Sequence, residues 1–223
     1  MTVQIVVIAK EPRPGRVKTR LCPPCTPDQA AAIAAASLGD TLATVAAAPA
    51  TRRVVALDGR PGPWLPQGFD VIAQRGGGLA DRLHGAFEDC FRASDDPVAL
   101  IGMDTPQVEV DHFVQVSRAF GTGADAVIGF ALDGGYWLIA LRHLHPAAFV
   151  GVPMSADDTG AAQLERLRHC GYDVALTSPL RDVDDALDAR AVASQIPGTR
   201  FAAAVASALP ADDRAVVAAA RVR

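Results

Sequence analysis

Little in this sequence points away from an ordinary folded chain. Aromatic residues make up only 5% of its 223 residues, and there are just four cysteines. A chain of this length can bury roughly 70% of its unfolded surface, so it needs neither disulfides nor a structural metal to hold a core. An excess of positive charge is also missing: Lys+Arg 21 against Asp+Glu 25 gives a net charge of -4. A protein that wraps nucleic acid carries a basic excess, so nucleic acid is not expected as a partner. Strongly apolar runs are short. The longest, Ala30 to Ala48, is alanine-rich and broken by Asp40, unlike the run of about 20 apolar residues that spans a bilayer. The run Val3 to Ala9 meets Lys10 almost at once and has no basic residue before it, so neither a secretory signal nor a membrane partner is expected. These readings together suggest the cytoplasm.

What is present is the composition of a globular protein, 50% hydrophobic and 21% charged. Short β-branched runs alternate with helical patterns from end to end. Val3–Ala9, Arg53–Leu57, Phe69–Ala73, Val98–Gly102, Ala126–Phe130 and Tyr172–Thr177 read as strands. Helices are expected from Thr26 to about Val45, where Thr26-Pro27-Asp28-Gln29 has the form of a capping box, and over Leu79–Arg92, Val110–Phe120 and Thr159–Cys170. Asp133-Gly134-Gly135 reads as a hairpin turn into a strand over Tyr136–Leu141. This order predicts an α/β fold: βαβ units and a three-layer α/β/α arrangement around a mixed, mostly parallel sheet. No repeat, long linker or composition break divides the chain. A single domain over residues 1–223 is expected, with a helical tail from about 185. That tail either closes the core or pairs with a second subunit as a homodimer.

In such a fold ligands gather outside the carboxyl ends of the strands. After the first strand, Lys10, Arg13, Arg16, Lys18 and Arg20 fall within eleven residues, with Gly15 to turn the backbone. Arg16, Lys18 and Arg20 alternate and in an extended segment would project to one side, a pattern suited to a polyphosphate. The loop is not a P-loop, because Val17 and not glycine precedes Lys18, and no G-x-G-x-x-G follows the strand. After the third strand, Gln74-Arg75-Gly76-Gly77-Gly78 permits close backbone approach to a ligand, with Arg82 one turn further on. Asp104, in G-M-D-T-P, ends a buried strand. It reads either as a turn residue ahead of Pro106 or as a ligand for a hard divalent cation, with Asp182, Asp184 and Asp185 as further carboxylates near the C-terminus.

The ordered motifs A-K-E-P-x-P-G-R-V-K-T-R-L, G-x-D-T-P, D-G-G-Y-W-L-I and D-V-D, spread from Val3 to about Ala189, resemble an uncharacterised family of glycosyltransferase-A-type proteins. Its members are described as nucleotide-diphospho-sugar transferases or glycosyltransferases, and the family is more distantly similar to 2-phospholactate and molybdenum-cofactor guanylyltransferases. The resemblance implies a nucleotide-binding fold, Mg²⁺ or Mn²⁺ as cofactor, Asp104 as one metal ligand and Asp184 or Asp182 as the other. It also implies that Lys18 and its neighbouring arginines hold the phosphates. Two departures stand out. Met154-Ser155-Ala156 replaces a W-S-T found in many relatives, and D-V-D-D replaces D-V-D-T.

Two reactions follow from these readings. In nucleotidyl transfer, a phosphate or carboxylate of a small acceptor attacks the α-phosphorus of a nucleoside triphosphate and pyrophosphate leaves, with Arg16, Lys18 and Arg20 neutralising it. In glycosyl transfer, a nucleotide-diphospho-sugar donates to a hydroxyl and Asp133 serves as base, while Tyr136 or Trp137 stacks on a ring. A nucleotide-binding protein without turnover is a third reading. Cys22-Pro23-Pro24-Cys25 raises thiol redox chemistry, but that chemistry has no need of the cationic loop or the acidic strand ends. Cys90 and Cys170 read as small core residues. His143 and His145, the only close histidine pair, have no third ligand in view.

Overall fold

The computed structural model describes residues 2–209. Seven strands form one sheet: β1 (Val3–Lys10), β2 (Ala50–Asp58), β3 (Asp70–Ala73), β4 (Val98–Gly102), β5 (Ala126–Ala131), β6 (Tyr136–Leu141) and β7 (Val174–Leu180). Their order across the sheet is β3-β2-β1-β4-β6-β5-β7. Only β6 runs against its neighbours β4 and β5; every other pairing is parallel. The expected three-layer α/β architecture is therefore present. The reversed strand follows from the two-glycine turn at Gly134 and Gly135, which is too short for a crossover and folds β6 straight back on β5.

The described residues form six α-helices: α1 (Pro27–Ala47), α2 (Leu79–Ala93), α3 (Val110–Gly121) and α4 (Thr159–His169) cover the sheet, and α5 (Ala186–Gln195) and α6 (Arg200–Ala208) lie outside α1. The strands distribute their side chains by alternation. Val3, Ile5 and Val7 of β1 meet Leu38 and Leu42 of α1 and Phe113 and Phe120 of α3 on one face. Val6, with Val98 and Leu100 of β4, meets Leu83, Phe87 and Leu167 on the other. Strands buried on both faces read as continuous apolar runs, which is why they were visible in the sequence.

Helix α1 begins with the expected capping box, Thr26 and Gln29 satisfying each other's backbone N–H groups. It is buried on two sides. Ala31, Ala34 and Leu38 face the sheet, while Ala30 and Ile33 face Val192, Phe201 and Val205 of α5 and α6. This explains its alanine-rich, nearly uniform composition: small side chains let the sheet and the outer helices approach together. Among the described residues it is the one helix long and apolar enough to cross a bilayer, and 56% of its most apolar window is buried within the protein. The tail expected from about 185 is helical as far as Ala208 and closes over α1; its remainder lies outside the described residues. β1, β3 and β5 differ from their expected bounds by one residue, and two strands differ by more. β2 begins at Ala50, because it pairs along the full length of β1, and β7 runs from Val174 to Leu180 in step with β5.

Candidate functional site

The carboxyl ends of β1, β2, β3, β4, β5 and β7 and the amino end of the reversed β6 share one edge of the sheet. A cleft of about 800 Å³ opens there. Its lining includes Lys10, Arg16, Lys18, Arg20, Gln74, Gly77, Arg82, Asp104, Asp133, Asp182 and Asp184. Of the expected site residues, Arg13, Gly15, Arg75, Gly76, Gly78 and Asp185 lie outside that lining; Arg75 pairs with Glu88 and Asp89, and Asp185 caps α5. Gly15 is exposed, with φ +74° at the tip of the cationic loop, and Gly78 caps the start of α2.

Lys18 lies at the centre of the cleft. The segment from Gly15 is not extended: it turns, and Lys18 adopts left-handed backbone (φ 49°, ψ 38°) ahead of a short 3₁₀ helix at Thr19–Leu21. Arg16, Lys18 and Arg20 therefore reach the cleft from a turned segment and not by strand alternation. Arg16 stays exposed, with no ion pair among the described residues. The side chain of Lys18 turns inward until only 6% of it is exposed, with Nζ 2.6 Å from Asp104 Oδ1. The same ammonium donates to the Val183 carbonyl. Arg20 reaches across to Asp184 Oδ2 at 2.7 Å, and Arg13 is drawn away to Glu11 at 2.7 Å. Two expected phosphate ligands are thus each paired with an expected metal ligand.

Asp104 is not a helix cap. Its carboxylate holds Lys18, and its carbonyl accepts from Val183 N at 3.0 Å, which binds the end of β4 to the segment after β7. Ser37 of α1 fixes the neighbouring Met103 carbonyl at 2.7 Å. Asp182, partly buried beside it, has its carboxyl pushed up to about 7, first by burial and then by the negative charges of Asp104 and Asp133. A cation placed among these carboxylates relieves that repulsion. The donors are all hard oxygens, which suits Mg²⁺ or Mn²⁺. Among the described residues, however, no three acidic, histidine or cysteine side chains are already grouped to ligate an ion.

The glycine loop departs from its expected role. The N–H groups of Gly77 and Gly78 both point to Asp81 Oδ2 at 3.2 Å, so the chain's own carboxylate fills the nest at the start of α2. Gln74 is likewise engaged, donating to the carbonyls of Ala9 and Ala56 at 2.8 Å each. It holds the ends of β1 and β2 together. Arg82 does point back as expected, to Asp58 at 2.9 Å and Gln74 at 3.3 Å.

On the far side, the Asp133-Gly134-Gly135 turn forms as expected, with Asp133 Oδ1 accepting from Gly135 N at 2.9 Å. Trp137 cannot stack on a ligand. It is 2% exposed, donates to the Ser178 carbonyl at 3.1 Å and packs edge-on to His112. Alternation along β6 sends Tyr136 to the opposite face, toward Gln163 and Met154; burial pushes its phenol well above the usual range. Segment 153–160 also reaches the site. It packs on the turn so closely that a Cβ on Gly134 would lie 1.8 Å from the Asp157 carbonyl, and Gly160 N donates to the Gly134 carbonyl at 2.8 Å. It brings Ser155 (φ 64°) and Asp157 to the cleft wall. Its only trace in the sequence is the Met154-Ser155-Ala156 departure noted above. Asp58 and Gln107 were missed, because each matters through a partner distant in sequence.

The cysteines are free thiols. Cys25 is buried, which raises its thiol, and Cys22 is partly exposed. Cys90 is fully buried as expected, while Cys170 is only partly so. His143 stacks on Tyr172 with centroids 4.9 Å apart, and His145 accepts from the backbone N–H of Ala147 at Nδ1, 3.1 Å away. Both serve packing.

Residues 31–156, more than half of the chain, match a family described as "Uncharacterized protein conserved in bacteria (DUF2064)". None of the curated proteins matches the chain. Among solved structures, a candidate nucleotide-diphospho-sugar transferase from Desulfovibrio desulfuricans G20 is similar over 93% of this chain and 95% of its own, with 26% identity and a TM-score of 0.84. CMP:2-keto-3-deoxy-manno-octonic acid synthetase complexed with CTP shares 14% identity (TM-score 0.51, 87% of this chain and 99% of that one). Rv0371c from Mycobacterium tuberculosis H37Rv, solved with manganese, shares 18% identity (TM-score 0.51, 86% and 98%). The last two show a common fold.

Proposed function

The chain belongs to the DUF2064 family, and from its cleft we propose that it is a metal-dependent transferase acting on a nucleotide, most directly a nucleotidyltransferase that joins a nucleoside triphosphate to a small acceptor. The whole chain acts as one nucleotide-binding domain. The observation that carries this reading is the pairing, within one strand-end cleft, of Lys18 with Asp104 and Arg20 with Asp184. A phosphate arriving at Lys18 competes with Asp104, and one arriving at Arg20 competes with Asp184. Nucleotide and divalent cation therefore bind with positive coupling, since neutralising the carboxylates frees the cations. The fold shared with a CTP complex and with a manganese complex supports the same reading.

Asp104, Asp184 and Asp182 would hold Mg²⁺ or Mn²⁺, which when bound neutralises charge on phosphate oxygens. Lys10 and Arg16, exposed at the cleft and without ion pairs among the described residues, bind the outer phosphates. Lys18 and Arg20 orient them and offset the charge that builds on the departing pyrophosphate. An acceptor phosphate or carboxylate attacks the α-phosphorus as an anion, so no protein base is needed. The P–O bond to pyrophosphate breaks as the new P–O bond forms.

The similarity to the Desulfovibrio protein favours a second reading, glycosyl transfer from a nucleotide-diphospho-sugar. There Asp133, with one oxygen held by Gly135 N–H and the other available, takes the proton of an acceptor hydroxyl. The test is a binding panel of nucleoside triphosphates and nucleotide-diphospho-sugars with and without Mg²⁺ or Mn²⁺, followed by a pyrophosphate-release assay. A Mg²⁺-dependent shift with one triphosphate, and pyrophosphate release once acceptor is added, is expected. The same shift with one sugar nucleotide selects the second reading. Binding that is indifferent to metal and yields no product leaves a nucleotide-binding protein and removes both.

A further inference from the structure

The segment 181–184 carries Asp182 and Asp184 but belongs to neither β7 nor α5. Irregular backbone at a strand end has no ladder to fix it, so its position depends on individual tethers. Three are present. Val183 N donates to the Asp104 carbonyl at 3.0 Å, Lys18 donates to the Val183 carbonyl, and Gln107 Nε2 donates to the Arg181 carbonyl at 2.7 Å. The first two run through residues already assigned to the cleft. The third does not.

Gln107 follows Asp104 by three residues. Pro106 and Gln107 occupy the centre of a turn closed by Val108 N on the Thr105 carbonyl at 3.1 Å. The turn delivers the side chain into the interior, where the residue is 6% exposed. Its amide is a poor choice for stability alone. Oε1 is buried without a hydrogen-bond partner among the described residues, as is Oγ1 of Thr105, two residues earlier in the chain. An unmatched buried polar atom costs stability, because it gives up its bonds to water and gains none. An apolar side chain of similar size would avoid that cost while filling the same space.

We propose that Gln107 is a positioning residue for the divalent-cation site: by holding the Arg181 carbonyl it fixes the spacing between Asp104 and the carboxylates of Asp182 and Asp184. The inference rests on the metal-dependent reading above. Gln107 touches neither nucleotide nor cation; it sets the distance across which the carboxylates converge. Residues one step behind metal ligands commonly change affinity 10- to 100-fold when removed.

The test uses the full chain and Mn²⁺ itself, titrated and followed by the loss of the free-ion electron paramagnetic resonance signal. Gln107→Met keeps length and volume and deletes the donor. It should weaken Mn²⁺ binding about tenfold, leave metal-free nucleotide binding unchanged, and keep thermal stability within a few degrees, because the orphaned oxygen leaves with the amide. Gln107→Asn retains an amide too short to reach Arg181 and should weaken Mn²⁺ binding similarly; it decides the matter if the methionine variant fails to fold. Unchanged Mn²⁺ affinity in either folded variant overturns the proposal. Asp104→Asn is the control for the underlying reading. If it binds Mn²⁺ as wild type does, the metal reading fails, whatever Gln107 does.

Discussion

Asp182 offers a prediction whose sign and size both come from its surroundings. Its carboxyl sits at about 7 in the folded protein against an ordinary value of 3.8, because burial and the charges of Asp104 and Asp133 disfavour ionisation. Between those two pH values the folded state holds a proton that the unfolded state has released. Stability therefore falls as pH rises from about 4 to about 7 and is level above that. The full displacement is worth about 4 kcal/mol at 1.36 kcal/mol per pH unit. The group is only partly buried, and screening by water reduces this to about 2 kcal/mol.

Asp182→Asn removes the ionisation while keeping the shape. It should stabilise the metal-free protein by about 2 kcal/mol near pH 8, or roughly 4–8 °C in Tm for a chain of this size, and by almost nothing near pH 4. The assay is thermal unfolding with a chelator present, run as a pH series. Saturating Mn²⁺ should raise the Tm of wild type at pH 8 and raise that of the variant much less. A stabilisation that is the same at every pH, or a loss of stability at pH 8, would refute the electrostatic account. A pH-dependent gain without any Mn²⁺ effect would keep the repulsion and discard the cation.

The Lys18–Asp104 pair is asymmetric, since the lysine side chain is 6% exposed and the aspartate 43%. Asp104→Ala strands a buried ammonium on a single carbonyl and should cost about 3 kcal/mol in urea unfolding. Lys18→Met leaves a carboxylate that water can reach and should cost about 1 kcal/mol; equal losses would contradict the burial argument. Asp104→Ala should also abolish metal-dependent turnover in the folded fraction, and Lys18→Ala should weaken triphosphate binding more than monophosphate binding. Gly134→Ala meets both a φ of +93° and the Asp157 carbonyl. It should displace segment 153–160, costing 2 kcal/mol or more and reducing acceptor saturation while nucleotide affinity holds. Wild-type stability in that variant would mean the turn and the segment do not interlock.

What the sequence revealed, and what it hid, divides along one physical line. Signals that act within a few residues survived: the β-branched runs of β1 and β4, the capping box at Thr26, and the Asp133-Gly134-Gly135 turn that reverses β6. Strand-end position then picked out Lys18, Asp104, Asp182 and Asp184 before any contact was known, because a parallel sheet sends all its carboxyl ends to one edge. The failures are matters of direction and partner. Alternation correctly describes a strand, but the loop after β1 turns at Gly15, so Arg16, Lys18 and Arg20 reach the cleft from a turned segment, and counting by twos gave no hint that Arg20 meets Asp184 there. The glycines after β3 promised close backbone approach to a ligand, but gave no hint that Asp81, three residues after Gly78, accepts from their N–H groups. Trp137 offered a stacking surface in a chain poor in aromatics, but the register of β6 against β4 and β5 fixes which face it takes, and that face is interior.

The same reasoning explains why Gln107 was invisible. A glutamine after a proline is ordinary turn chemistry, and only the return of the chain 74 residues later, at Arg181, gives its amide a partner. The charged residues of this cleft come from strand ends distant in sequence, so they can be read in advance by position. The groups that set distances between those residues cannot, because their chemistry is main-chain capture and any polar side chain of the right reach would serve. Gln107 differs from such a generic tether in leaving its own oxygen unsatisfied. That cost is the reason to test it by metal affinity and not by stability: a residue kept only for packing would be replaced by methionine with no loss of Mn²⁺ binding.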